Sequence, residues 1–270
     1  MFLHTLSLQK KSMSTFLFDS TIFGPVKSRR LGNSLGINLL PNTRKVCNFN
    51  CIYCECGWNP EDQQKESLPT ADEVKTQLEA KLVNMKNSGE KLDVITFAGN
   101  GEPTIHPQFP EIIDLTIALR NTYFPKVKIA VLSNATLIHK DSVFGALKKI
   151  ESNILKLDSA IDSTCCMLNK PTGHFKLQDV INQLCRFEGN MILQTMFLRG
   201  KSNGILIDNT TEEELSAWIE AIKKIKPGQV MIYTIARDTP TEGLQKISPE
   251  KLKQIAKRIE ELGIPVSISV

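Results

Sequence analysis

No apolar stretch in this 270-residue chain is long enough to span a bilayer, so no membrane-embedded role is expected. No repeat, low-complexity tract or Pro/Gly-rich linker divides it. Residues 23–270 are therefore expected to form one domain behind an N-terminal tail at 1–22, with Met13 as an alternative start. The opening "MFLHTLSLQKKSMS" lacks the sustained apolar core and small-residue cleavage site of a secretory leader. The expected location is a reducing cytoplasm, where standing disulfides are rare. Neither sign of charge dominates. The 33 basic and 29 acidic residues leave a net +4, which neither demands nor excludes a nucleic acid partner. Apolar content of 41% and charged content of 23% are ordinary for a soluble chain long enough to bury a large core. Cysteine is sparse at seven residues, and the odd number argues against a fully paired framework.

What is present is a short β-branched run followed by a helical pattern, many times over. The runs are "GINLLP" (36–41), "VITF" (94–97), "VKIAVL" (127–132), "NILKLD" (153–158), "MILQTMFL" (191–198), "VMIYTI" (230–235) and "IPVSIS" (264–269). Thr70 and Glu73 form a capping box ahead of the stripe Val74, Leu78, Leu82 and Met85. Ser248 and Pro249 open a second helix, with the stripe Leu252, Ile255, Ile259 and Leu262 and a stop at Gly263. Helical patterns near 110–120, 139–150, 175–187 and 211–225 fill the other gaps. The alternation implies an α/β fold whose parallel sheet is covered by outer helices. Six or seven units suggest a partial (β/α)6 TIM-type barrel with an N-terminal strand/loop extension; a doubly wound open sheet is the alternative. In either, the chemistry belongs at the C-terminal ends of the strands.

Four of the seven cysteines fall in "CNFNCIYCECG" (47–57), just after the first strand. A disulfide knot, a zinc site and an iron–sulfur cluster are the three readings. Zinc wants four ligands in paired groups. Cys54 and Cys56 are poorly spaced to close a tetrahedron, no second Cys/His pair lies nearby, and Cys165–Cys166 is vicinal. A [4Fe–4S] cube takes one thiolate per iron. Cys47, Cys51 and Cys54 would hold three irons and leave the fourth open, as a reactive rather than structural metal site requires.

Cys47-x3-Cys51-x2-Cys54, with Tyr53 before the last cysteine, resembles the radical S-adenosylmethionine (SAM) superfamily. That resemblance implies a cluster whose open iron is chelated by the methionine end of SAM. One electron then breaks the sulfonium C–S bond, and a 5′-deoxyadenosyl radical removes a substrate hydrogen. "GNGEPT" (99–104), directly after the second strand, supports it. The glycines allow close backbone approach, and in this superfamily such a turn, often ending in glutamate, receives the ammonium of SAM. Gly99, Asn100, Gly101 and Glu102 are thus cofactor-binding candidates; the alternative is a plain strand-to-helix turn. Together with "FGPVKSRRLGNSLGINLLP" (23–41), "GEPTIHP", "LKLD" and "NKP" (169–171), these motifs resemble a branch of short iron–sulfur oxidoreductases related to the radical SAM domain of wybutosine-synthesis enzymes.

Weaker candidates follow. Ser133 and Asn134 end the third strand, placed for the ribose or carboxylate of SAM or for capping the next helix. Asp158 resembles a ribose-contacting residue of relatives, and Lys156 is a partner for a carboxylate at the mouth. Gln194 is an inward polar group on the fifth strand and a further SAM contact, and Thr195 beside it also needs a partner. Arg199 and Arg237 are candidates for a substrate carboxylate or phosphate, or for surface ion pairs. Arg29 and Arg30 are phosphate contacts or a solvated pair, and His106 is expected to be structural. No cysteine follows Cys185, so a single cluster is expected; Cys185 is read as core and Cys56 as a spare thiol near the site. The resemblance also implies a one-electron reductant of flavodoxin or ferredoxin type. The substrate is an RNA base, a peptide or protein (including a partner enzyme activated by a glycyl radical), or a small metabolite. The rival of another class is a non-catalytic iron–sulfur or zinc-binding protein.

Overall fold

A computed structural model describes residues 16–62 and 66–270. Residues 1–15, including Met13, lie outside the described residues. Within the expected tail, residues 16–22 are part of the fold: Phe18 is held by Asn100, Thr21 is buried, and the first strand starts at Ile22.

The central sheet contains β1 (Ile22–Ser28), β2 (Gly32–Ile37), β3 (Val94–Phe97), β4 (Lys128–Ser133), β5 (Ser152–Lys156), β6 (Ile192–Ser202), β8 (Gln229–Thr234) and β10 (Val266–Ser269). They lie in the order β1-β2-β3-β4-β5-β6-β8-β10. Every neighbouring pair from β2 onward is parallel, and β1 joins β2 as an antiparallel hairpin. This is the expected partial barrel with its N-terminal extension. Each of the seven runs supplies one parallel strand, although the first strand begins at Gly32, upstream of "GINLLP". Two elements were not anticipated. β7 (Ile205–Asp208) and β9 (Gln245–Lys246) pair antiparallel with the far end of β6, which runs on beyond the barrel.

Helices cover the outer face: α1 (Ala71–Ser88), α2 (Phe109–Tyr123), α3 (Asp141–Leu147), α4 (Asp162–Asn169), α5 (Leu177–Cys185), α6 (Glu212–Ile225) and α7 (Pro249–Glu260). The α1 capping box forms as expected, and Gly89 closes the helix in a left-handed conformation. Ser248 caps α7, but that helix ends at Glu260 and Leu262 falls outside its buried stripe. Alternation along the strands divides the core. Leu35, Ile95, Val131, Leu155, Leu193 and Ile232 face the helices. Val94, Ala130, Ile154, Ile192 and Met231 face the barrel lumen, closed on one side by Leu31. Thr195 faces outward, where its hydroxyl donates to the Leu157 carbonyl and accepts from the buried Trp218 indole at 3.0 Å. Its neighbour Gln194 points the other way, into the lumen.

Candidate active site

Two loops meet at the C-terminal ends of β2 and β3. Val46, just before Cys47, forms an isolated parallel bridge with Gly101. Its N–H donates to the Asn100 carbonyl at 2.8 Å, and its carbonyl accepts from the Glu102 N–H at 3.1 Å. Gly101 has φ +143°, and a Cβ there would overlap the Val46 carbonyl. A Cβ on Gly99 would likewise overlap the Asn38 side chain. The glycines of "GNGE" thus permit protein-to-protein approach that zips the turn to the cysteine loop.

The other flank of the loop is held by α4 and the "NKP" segment behind it. Asn50 and Ile52 donate to the Asn169 and Leu168 carbonyls, and Phe49 bridges Pro171. Inside the loop, Cys54 N–H donates to the Cys51 carbonyl at 3.1 Å and Gly57 N–H to the Cys54 carbonyl at 2.9 Å. These tight turns gather the thiols. Cys47, Cys51, Cys54 and Cys56 are half-buried and free of disulfides. Asn134 Nδ2 donates to Cys47 Sγ at 3.7 Å, and Cys51 Sγ donates to Asn169 Oδ1 at 3.3 Å. Lys45, 3% exposed, sends its ammonium to the Gly57 carbonyl at 2.9 Å and sits as a cation beside the thiols. Burial pushes the Cys47 thiol up to about 12 and Cys51 to about 11. A hydrogen bond with Cys56, helped by Lys45, holds Cys54 down at about 6, and Cys56 moves upward in return.

Glu102 is 2% exposed, and burial pushes its carboxyl upward against several hydrogen bonds. Its Oε1 accepts from the Thr104 N–H and hydroxyl and from Ser133 Oγ at 2.8 Å. Among the described residues its Oε2 accepts only the Asn134 N–H, at 2.6 Å, which leaves a lone pair for one more donor. The carboxylate therefore ties the end of β4 to the turn after β3.

Three expected cofactor contacts are built into this scaffold. Asn100 is fully buried, with its side chain gripping Phe18 through two bonds of 2.8 Å and donating to the Pro41 carbonyl at 2.8 Å. The Ser133 hydroxyl donates to Glu102 and accepts from Ala135 N–H. Asp158 accepts from Met196 N–H at 3.0 Å on Oδ1, and its Oδ2 meets both the Tyr53 hydroxyl and the Lys156 ammonium. Lys156 therefore pairs within the protein, not at the mouth. Burial pulls its pKa down, yet Asp158 and its other anionic neighbours win, and it moves upward overall. The buried Tyr53–Lys156–Asp158 cluster props the cysteine loop against β5 and β6. Arg237 forms an exposed ion pair with Glu55 at 2.7 Å, and Arg199 donates to Gln245. His106 is structural, bonded to the Pro69 carbonyl. Lys45, Asn48, Asn169 and Tyr233 belong to the site without having been expected there. Asn169 opens the "NKP" motif, and Tyr233 has a period-two relation to the lumen-facing Met231.

Among the described residues no three His, Cys, Asp or Glu side chains are arranged to hold a metal ion. A cubane places each thiolate on a different iron and spreads its ligands more widely. Cys47, Cys51 and Cys54 are three thiols of one loop, free of disulfides and beside a buried lysine, which is the donor type of that cluster.

A partial barrel with this loop-and-turn pair at its strand ends is the architecture of one enzyme class. Residues 42–163 match the Radical SAM superfamily, whose cofactors are a [4Fe–4S] cluster and SAM. Within that superfamily the chain belongs to the UPF0026 family. It is 30% identical over 241 residues to a UPF0026 protein of Methanocaldococcus jannaschii, covering 87% of this chain and 68% of that one. It is also 30% identical over 272 residues to a GTPase Obg of Brachyspira hyodysenteriae, covering 98% of this chain and 37% of that protein. A solved radical SAM methyltransferase from Sphaerobacter thermophilus has a TM-score of 0.63 at 14% identity, over 87% of this chain and 65% of that one. A TYW1 structure has a TM-score of 0.57 at 14% identity, over 86% and 74%. At such identities these two likenesses speak for the fold. Among the described residues no helix is long and apolar enough to cross a membrane.

Proposed function

We propose that Cys47, Cys51 and Cys54 hold three irons of the cluster and that the Gly99–Glu102 turn flanks the methionine end of SAM. The observation that carries this reading is the Val46–Gly101 bridge, which sets the cysteine loop and the turn side by side over the lumen. The bound pair of cofactors supplies one-electron cleavage of the sulfonium C–S bond and a 5′-deoxyadenosyl radical that takes a substrate hydrogen. The chain's own residues bind and orient. The free lone pair of Glu102 Oε2 accepts the ammonium of SAM. Asn134 donates to Cys47, and Gln194, which lines the lumen cavity, would contact the rest of SAM. Lys45 offsets the thiolate charge.

Anaerobic reconstitution should yield about four irons and four sulfides per chain. Dithionite and SAM should then release 5′-deoxyadenosine. Cys51→Ala should lose both while the apo fold persists. Full iron with no SAM affinity would leave an electron carrier instead. An RNA substrate is supported by the branch resemblance. Its test is tRNA affinity that falls steeply with salt, because phosphate contacts release counterions.

A further inference from the structure

The lumen opens into a cavity of about 760 Å³ that reaches from Leu31 and Ile154 to Glu55 of the cysteine loop. We propose that this cavity takes the substrate and that Arg30 holds an oxyanion of it, a phosphate or carboxylate group. The inference rests on the radical SAM reading and names the substrate chemistry of the same site.

Arg30 lies in the turn between β1 and β2, where the Ser28 hydroxyl accepts from the backbone N–H of Arg30 at 3.3 Å and of Leu31 at 3.2 Å. Its guanidinium carbon stands 4.5 Å from the centroid of Tyr233, the lumen-facing ring of β8. Its Nη1 is buried and has no hydrogen-bond partner among the described residues. A guanidinium cannot shed its charge at any ordinary pH, and a buried donor without an acceptor is costly.

Two of the other basic groups at the cavity already have partners. Arg29 donates to the Val270 carbonyl at 3.3 Å, and Arg237 pairs with Glu55. Lys156 and Asp158 satisfy one another. No described carboxylate forms an ion pair with Arg30. The lining carries four basic side chains, Lys27, Arg29, Arg30 and Arg237, against the acids Glu55 and Asp238. Stacking on Tyr233 uses one face of the guanidinium and leaves its edge donors in a planar fork, which fits two oxygens of one oxyanion. Beside it, Phe16, Phe18 and Phe23 make a continuous aromatic wall, with centroids 4.9 and 3.8 Å apart. The cavity therefore suits a ligand with an apolar or planar body and an anionic end.

The test uses anaerobically reconstituted, SAM-loaded protein titrated by calorimetry with inorganic phosphate and, separately, with succinate. One of the two should bind the wild type, and its identity names the oxyanion. Arg30→Gln should weaken that binding about tenfold or more, and Arg30→Lys should recover part of it without the bidentate fork. Iron content and thermal midpoint report whether each variant is folded. If Arg30→Gln does not fold, Arg30→Lys alone must still show weaker binding. Wild-type affinity in a folded variant, or binding of neither anion to the wild type, overturns the proposal. So does a variant that loses SAM affinity while the anion is unaffected, since Arg30 would then serve the cofactor. Release of 5′-deoxyadenosine by the wild type is measured in parallel. Its absence with Arg30-dependent anion binding intact defeats the radical SAM reading alone; its presence without such binding defeats this inference alone.

Discussion

Gly101→Ala is the sharpest perturbation of the join between the two loops. An added Cβ would overlap the Val46 carbonyl oxygen, lie 2.5 Å from its carbon, and sit on a residue at φ +143°. The two nearest of the three obstructing atoms are backbone, so no rotamer relieves the clash. The bridge must open. That removes two backbone hydrogen bonds, each worth about 0.5–1.5 kcal/mol net. If the positive φ is retained instead, backbone strain costs roughly 1–3 kcal/mol. Either route costs about 1–3 kcal/mol, a sizeable share of the ~5–15 kcal/mol that holds a domain together. Cys47 follows Val46 directly, so the loop shifts as well, and a misplacement of about 1 Å can cost about 100-fold in rate. The assay is anaerobic urea denaturation followed by circular dichroism, with iron per chain and 5′-deoxyadenosine release read on the same preparation. Gly145→Ala is the control. Gly145 lies inside α3, and its added Cβ would meet nothing within 4 Å, so that variant should gain about 0.5–1 kcal/mol. A Gly101→Ala protein with wild-type midpoint, full iron and normal SAM cleavage would show that the bridge does not position the cysteines.

Two further outcomes are expected. Cys56→Ser should keep about four irons per chain, because three other thiols hold the cube; loss of iron on the scale of Cys51→Ala would make Cys56 a ligand. His106 donates from Nε2 to the Pro69 carbonyl at 2.8 Å and accepts at Nδ1 from Gln108 N–H at 3.1 Å, a neutral arrangement, and burial lowers its pKa. Its folded pKa is depressed, so its share of stability is complete above about 6.5 and is lost as pH falls towards and through the folded value. His106→Gln should flatten the decline in urea midpoint between about pH 7 and 5; an unchanged slope would assign that decline to other groups.

The parts of this fold that could be read in advance are those whose signals are local. The Thr70–Glu73 box spans four residues and forms as written. The β-branched runs become the parallel strands because each is short, apolar and followed by a helix long enough for the crossover. The parts that could not be read depend on distant partners. β6 ends in "RGKS", polar enough to look like a loop, yet it pairs with β7 and β9 outside the barrel. α4 has only eight residues, too few for a clear stripe. The adjacent pair Arg29–Arg30 gave no hint that one would reach the Val270 carbonyl and the other the Tyr233 ring.

The same division separates cysteine ligation from cofactor contact. Spacing alone can argue that three thiols serve one cluster, because they share a loop. Whether a polar residue at a strand end faces a ligand depends on what else needs it. Here the cysteine loop must be braced on both flanks, and the nearest polar groups do that work. Asn100 anchors Phe18 across 82 residues, and Asp158 takes the hydroxyl of Tyr53 across 105. A buried polar atom left alone is expensive, so the protein satisfies these groups internally before any ligand arrives. Among the described residues Glu102 Oε2 retains an open acceptor position, and Arg30 Nη1 lacks any partner. These two groups carry opposite charge, one on the turn after β3 and the other on the β1–β2 hairpin. On the proposed reading the carboxylate would take the ammonium of the cofactor and the guanidinium an oxyanion of the substrate.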